Sequence, residues 1–427
     1  MNRFLQIFKV QDLRNKVLIV AALLVSFRLL AAIPVPGIDP ARLQEYFNSN
    51  QLFGFLNVFS GGGLSNLSVV MLGVGPYITA TIIMQLLTII FPKFKKLYYE
   101  EGSRGQAKFN QYSRLITVPL AVLQAYGFLT LLISQGVIDR PDLFSLVRNV
   151  IVITAGSMIT LWLGELISEQ KIGNGISLII VAGIVSGLPS QAMQGWVAYT
   201  PDVLVAFLLA TIAVIAGVVY LNEGERRIPV AYARRVRGMK MYGGATSYLP
   251  LKVNQAGMIP LIFAISVLLF PQFIAQVASI ASPELGVKLN DWVVRFLNNQ
   301  LFYGLFYFAL VFLFTFFYTA ITFNPEEVSK NLQRGGGFVP GIRPGETTTK
   351  FFSRVVSRIT LFGATFLGLI AVLPIILQWV MGKLFNQPQL SGLTVSGTAI
   401  LIVVAVALET MRQIDSQLTV REYEGLE

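Results

Sequence analysis

The sequence predicts an all-α polytopic membrane protein with ten transmembrane helices. Three observations carry that prediction. The first is composition. Hydrophobic residues make up 54% of the 427-residue chain and charged residues 13%, with a mean hydropathy of +0.65, whereas a soluble domain carries about 25% charge. So few charges cannot coat a water-facing surface, so most of the solvent is lipid. The second is a series of ten apolar runs at 17–34, 74–91, 115–134, 149–167, 176–195, 203–221, 257–277, 301–322, 359–380 and 393–410. Each is close to the roughly 20 residues that cross a hydrocarbon core of about 30 Å. The third is the placement of Lys and Arg. With the N-terminus in the cytosol, the tails and loops on that side hold 26 of the 33, the opposite loops hold 6, and Arg28 lies inside a run. Basic residues stay on the cytoplasmic side, so both termini are expected in the cytosol.

Taken in order, the first run follows Arg3, Lys9, Arg14 and Lys16 like a signal peptide. It is too long for an h-region and nine runs follow, so a retained helix is expected. Arg28 sits toward the outer end of that run, where its long stem lets the charge snorkel or pair. Residues 55–66 are too short and too polar to span, with Asn57, Phe59, Ser60, Gly61, Gly62, Gly63, Leu64, Ser65 and Asn66 in sequence. Two readings stand: an extracytoplasmic surface loop, or a segment folded back into a cavity, since irregular backbone at membrane depth is tolerated only against protein or water.

Further along, the loops 222–256 and 323–358 are long for simple connections and strongly basic. The first carries Arg226, Arg227, Arg234, Arg235, Arg237, Lys240 and Lys252; the second carries Lys330, Arg334, Arg343, Lys350, Arg354 and Arg358. Either they enforce topology alone, or they dock something large and anionic. Residues 335–345, GGGFVPGIRPG, lack the Gly-Lys-Ser/Thr spacing of a phosphate loop and read as a tight loop tip that presents Arg343. Trp196, Trp292 and Trp379 fall near the outer ends of runs, as aromatic anchors do.

The chain has no Cys and no His. Thiolate catalysis, disulfides, imidazole bases and Cys/His metal sites are excluded with them, and no mid-membrane carboxylate pair replaces them for acid–base work. No enzyme, cofactor or metal site is expected. An ion-coupled secondary transporter is the alternative function. It usually needs Asp, Glu or His near mid-membrane, whereas Glu165 and Glu409 sit at the cytosolic ends of their runs.

Five stretches, FSGGGLSNLSVVMLGVGPYI, GNGIS, GERRIPVAYARR, LPLKVNQAGMIP and FVPGIRPGE, resemble the SecY/Sec61-alpha family, the central channel subunits of protein translocases, and the resemblance runs from the first apolar run to the last. It implies two pseudo-symmetric five-helix halves around a central hourglass pore, here 17–195 and 196–411, with a cytosolic N-tail at 1–16 and C-tail at 412–427. It implies that 55–66 is a plug. It implies a pore ring of Val74, Ile78, Ile176, Ile180, Ile262 and Ile402, a soft apolar collar of the kind that gates by dewetting. Spans 2, 3, 7 and 8 become a lateral gate toward lipid, with Thr79, Gln85, Gln124 and Ser266 as its polar side chains, where interhelical hydrogen bonds are worth about 0.6 kcal/mol. The implied function is passage of unfolded preproteins across the bacterial plasma membrane and sideways release of transmembrane segments into lipid. The implied partners are SecE, SecG, the SecA ATPase, the translating ribosome and signal sequences, with nucleic acid met only as ribosomal RNA. Arg226, Arg227, Arg234, Arg235, Arg237, Lys240 and Arg343 are the expected docking residues.

Overall fold

A computed structural model describes residues 10–36, 62–64, 67–99, 101–134, 138–139, 141–198, 200–232, 235–237, 240–242, 246–384 and 391–424. Each of the ten apolar runs lies on a helix: α1 (Gln11–Ala31), α2 (Gly75–Ile90), α4 (Gly102–Ser134), α5 (Leu143–Glu169), α6 (Gly175–Ala198), α7 (Pro201–Glu223), α8 (Ile259–Ala281), α10 (Gln300–Thr322), α12 (Glu346–Leu384) and α13 (Ser391–Glu424). Three shorter helices carry polar sequence between them: α3 (Pro92–Tyr99), α9 (Pro283–Asn298) and α11 (Pro325–Arg334). Among the described residues, Leu143–Glu169, Pro201–Glu223, Leu301–Arg334 and Glu346–Leu377 are long and apolar enough to cross a bilayer, and a bent pair, Gly75–Thr88 with Pro92–Tyr98, is a fifth. The helices α6 and α8 contain Pro189 and Pro271, each lacking the N–H that the helical hydrogen-bond ladder uses.

The chain divides into two compact units. The first holds residues 1–211, 265–303 and 374–427. In it α4 packs on α2, α3 and α5, α5 packs on α6, α1 packs on α5 and α6, and α13 packs on α6. Small residues bring these helices close. A Cβ on Gly175 would overlap the Gly164 carbonyl of α5, and one on Gly156 would overlap the carbonyl of Val69. The α5–α6 corner is built by its own side chains. Lys171 takes φ +57°, and the Ser168 hydroxyl donates to Gly164 O and accepts from Gly175 N, both at 2.9 Å. Asn174 Oδ1 accepts from Ile176 N at 3.1 Å and Ser177 N at 3.3 Å, capping α6. The GNGIS motif is therefore a helix start and a close approach in one. Gln417 of α13 also donates to Lys171 O.

The second unit holds residues 212–264 and 304–373. It contains what the sequence reading missed: strands β1 (Glu225–Tyr232), β4 (Thr246–Lys252) and β5 (Gly337–Phe338) form a sheet in the order β4-β1-β5, and β2 (Arg235–Arg237) pairs with β3 (Lys240–Tyr242). β1 and β4 run antiparallel from Glu225↔Lys252 to Ala231↔Thr246. Ile228 and Val230 alternate inward along β1, and Ile228 joins Leu251, Val339, Phe352, Val355, Val356 and Ile359 in one buried apolar cluster. Residues 337–338, expected as loop, are the third strand. Asn254 Nδ2 donates to Asn222 Oδ1 at 2.8 Å and Gly257 O at 3.1 Å, tying the end of α7 to the turn that enters α8.

Candidate functional site

The glycine-rich segment leads into the first unit's interior. Of the nine plug candidates, Asn57, Phe59, Ser60, Gly61, Ser65 and Asn66 lie outside the described residues. Gly63 and Leu64 are buried, and Leu64 joins Leu67, Met71, Val35, Ala125, Phe128, Leu129, Leu132, Ile138 and Ile153 in a cluster reaching α4 and α5. The irregular backbone is satisfied against protein. Ser68 N and Ser68 Oγ both donate to Gly63 O at 2.9 Å. Val35 N donates to Leu67 O, and Val69 N to Ile33 O, each at 2.9 Å. Ser157 of α5 reaches Gly73 O at 2.9 Å.

Gly62 has φ +79°, and a Cβ there would stand 3.1 Å from Arg28 Nη1 and 3.5 Å from Gly183 O. Arg28, in the last turn of α1, thus has its guanidinium against this segment. Leu67 holds φ +41° while buried, a left-handed backbone that costs a non-glycine residue about 1–3 kcal/mol and persists here in a packed apolar cluster. Gly62→Ala is expected to lower the thermal midpoint of the detergent-solubilised chain, because the left-handed backbone alone costs about 1–2 kcal/mol with a Cβ. An unchanged midpoint would show that Gly62 does not need its conformation.

The ring candidates fall as follows. Val74 is the residue before α2 and Ile78 lies in its first turn; both are buried, as are Ile180 on α6 and Ile402 on α13. Ile176, half-buried, has Cγ1 near Gly164. The packing of α6 on α13 puts the helices of Ile176, Ile180 and Ile402 side by side. Ile262, buried on α8, belongs to the second unit. Of the gate candidates, Thr79 donates to Gly75 O within its own helix at 3.1 Å. Gln85 is buried, with Oε1 lacking a hydrogen-bond partner among the described residues. Gln124 is buried on α4, which packs along α2, and Ser266 is half-buried on α8. Sequence reasoning missed the partner of Glu165: Arg114 Nε of α4 meets its Oε1 at 2.5 Å.

In the second unit, Arg226 and Arg227 are exposed on β1, and Arg227 is held by Glu225, Nη2 to Oε1 at 2.7 Å. Arg235, Arg237 and Lys240 lie on the β2–β3 hairpin, whose register sets Arg237 opposite Lys240. Arg234 lies outside the described residues. Arg343 is exposed on a tip fixed by Thr348 Oγ1 donating to Arg343 O at 2.8 Å and Ser329 Oγ donating to Gly345 O at 3.1 Å. Gly336, Gly341 and Gly345 turn that tip at φ +72°, +82° and +106°.

The sequence profile of the family described as SecY matches residues 68–411. The chain belongs to the SecY family. It is 42% identical over 445 residues to the protein translocase subunit SecY of Mycobacterium leprae, covering 100% of this chain and 99% of that one. It is 42% identical over 447 residues to that of Corynebacterium glutamicum, covering 100% of each. Its fold is similar to that of a SecY structure described for a plug domain that stabilises the closed channel, with a TM-score of 0.64, 19% identity and 93% of this chain and 90% of that one covered. Sec61 in the canine ribosome–channel complex gives 0.60, 18% identity and the same coverage, 93% and 90%. These structural likenesses show the SecY fold.

Proposed function

We propose that the chain forms a protein-conducting channel in the bacterial plasma membrane, with ten spans in two five-helix halves at 17–195 and 196–411 and both termini in the cytosol. The 55–66 segment closes it, the six aliphatic residues form its waist, and spans 2, 3, 7 and 8 open sideways to release apolar segments into lipid. The single observation that most supports this is the seat of residues 62–64 and 67–74. A span does not need an irregular, glycine-set backbone packed between helices and held by Ser68, Ser157 and the 33–35 stretch; a removable stopper does.

SecE and SecG are the membrane partners in this reading, and SecA and the ribosome bind the cytosolic loops. The built tip at Arg343 and the paired β2–β3 hairpin that carries Arg235, Arg237 and Lys240 support docking over mere topology, since a topological signal needs charge but no tertiary structure. The experiment is ATP-driven export of an unfolded preprotein into vesicles containing the full chain with SecE. Arg343→Glu is expected to cut export at least tenfold while insertion and SecE binding persist. Charge-reversed hairpin variants are expected to lose ribosome affinity, with the deficit relative to the parent largest at low salt and narrowing as salt rises. Export at the wild-type rate by Arg343→Glu would remove that arginine from docking, and failure of the wild-type chain to export would remove the channel reading.

A further inference from the structure

The helix α9 joins α8 to α10 through one residue at each end, Ser282 and Asn299. Its described side chains sort into three sectors. Glu284, Lys288, Asp291 and Arg295 are exposed and charged. Gly286 and Val293 are buried. Leu285, Leu289 and Trp292 are exposed and apolar, with half-buried Phe296 in line. At about 100° per residue, the charged sector and the exposed apolar sector are about 100° apart, and the buried sector lies about 80° beyond the apolar one.

A helix on a purely aqueous surface needs only a buried face and a polar face. Here a third face, apolar and uncovered among the described residues, separates the two. It is not a scatter of single residues: Leu285, Leu289, Trp292 and Phe296 recur at spacings of three and four residues, and the rings of Trp292 and Phe296 stack at 5.8 Å with 12° between planes. Lys288 and Glu284 pair at 3.8 Å along the charged side. The helices that follow and precede carry the same kind of surface. Ile274 on α8 and Leu301, Phe302 and Leu305 on α10 are exposed apolar residues, as expected where helices face acyl chains.

We propose that α9 is an interfacial helix, with its charged face in water, its Gly286–Val293 face on the protein, and its Leu285–Leu289–Trp292–Phe296 stripe in the headgroup–acyl boundary of the bilayer. The occupant is lipid rather than a protein partner because the stripe borders the charged face along its whole length. That arrangement fits a boundary between water and hydrocarbon, and the helices that flank α9 in the chain themselves carry exposed apolar residues. Trp292 is the anchor, its ring suited to headgroup depth. The assignment rests on the reading of α8 and α10 as spans; the topology proposed above makes the boundary that of the outer leaflet.

The chain has no native cysteine, so single cysteines at 284, 285, 288, 289, 291, 292, 295 and 296 can each carry a nitroxide in the full chain. The chain is reconstituted in vesicles of phosphatidylethanolamine and phosphatidylglycerol. The ratio of collisions with oxygen to collisions with a water-soluble nickel complex is expected to be several-fold higher at 285, 289, 292 and 296 than at 284, 288, 291 and 295. Equal ratios in the two sets would overturn the proposal by placing the helix in water. Exclusion of both reagents from the stripe would also overturn it, by showing a protein cover. The leaflet is read separately with an impermeant maleimide on Asp291→Cys in intact cells. Labelling from outside is expected; labelling only in inverted vesicles would reverse the topology, while a surviving collision pattern would still support the lipid seat.

Discussion

Replacing Ile78, Ile180 and Ile402 together with Asn is expected to raise the resting ion conductance of the reconstituted chain by about tenfold or more, with export continuing. The physical basis is the cost of wetting. A narrow collar of branched aliphatic side chains holds no water for ions to follow, whereas amide side chains bind it. About 1.4 kcal/mol of lowered wetting cost is already a factor of ten, and in the proposed ring the three substitutions act on one constriction. All three residues are buried, and Ile180 and Ile402 lie on helices that pack directly on each other. Export survives in this account because no ring residue recognises the substrate. The triple Val variant controls for packing and should conduct like the parent. If the Asn variant accumulates normally and still conducts at the parental level, these residues do not form the seal.

The second large effect is structural. Gly175→Val should prevent the first unit from assembling, seen as loss of the chain from membranes in a pulse-chase. A Cβ at Gly175 overlaps the Gly164 carbonyl and stands 2.9 Å from the Ile167 Cβ. None of those atoms is the free end of a flexible side chain. Overpacking of a core usually costs about 1–3 kcal/mol, and a backbone-to-backbone clash falls at or beyond the top of that range. The same displacement would break the Ser168 bridge between Gly164 O and Gly175 N. Gly75→Ala is the matched control, since a Cβ there meets nothing within 4 Å. Normal accumulation of Gly175→Val would mean that the α5–α6 crossing is looser than described.

The helices were legible because lipid selects for hydropathy, and each apolar run lies on a helix. The sheet was not. In ERRIPVAY the inward alternation is only Ile228 and Val230, set among charges that read as a topology signal, and Pro229 argues against a central strand. The structure reconciles that proline. β5 pairs only with Ala231 and Tyr232, so at Pro229 the strand has β4 alone as neighbour and the missing N–H costs nothing on the other side. The glycine-rich segment was legible as irregular backbone, but its seat depends on Ser68, Ser157 and residues 33–35, which are distant in sequence or carry no pattern. Thr79 shows the limit of reading polar residues in spans as cross-helix contacts, since its hydroxyl serves its own helix. Arg28 was visible as a costly charge, yet its neighbour Gly62, 34 positions on, could come only from the fold.

The uneven ladder of the small sheet sets an order of mechanical failure. β1 meets β4 over seven paired positions but meets β5 over two. A pull on the Arg343 tip therefore reaches a weak joint first. β5 peels from β1 while the β1–β4 ribbon stays whole, and the load then passes along the chain to Glu346 and into α12. Under tension the loop is therefore expected to yield at its two-position pairing before its seven-position one.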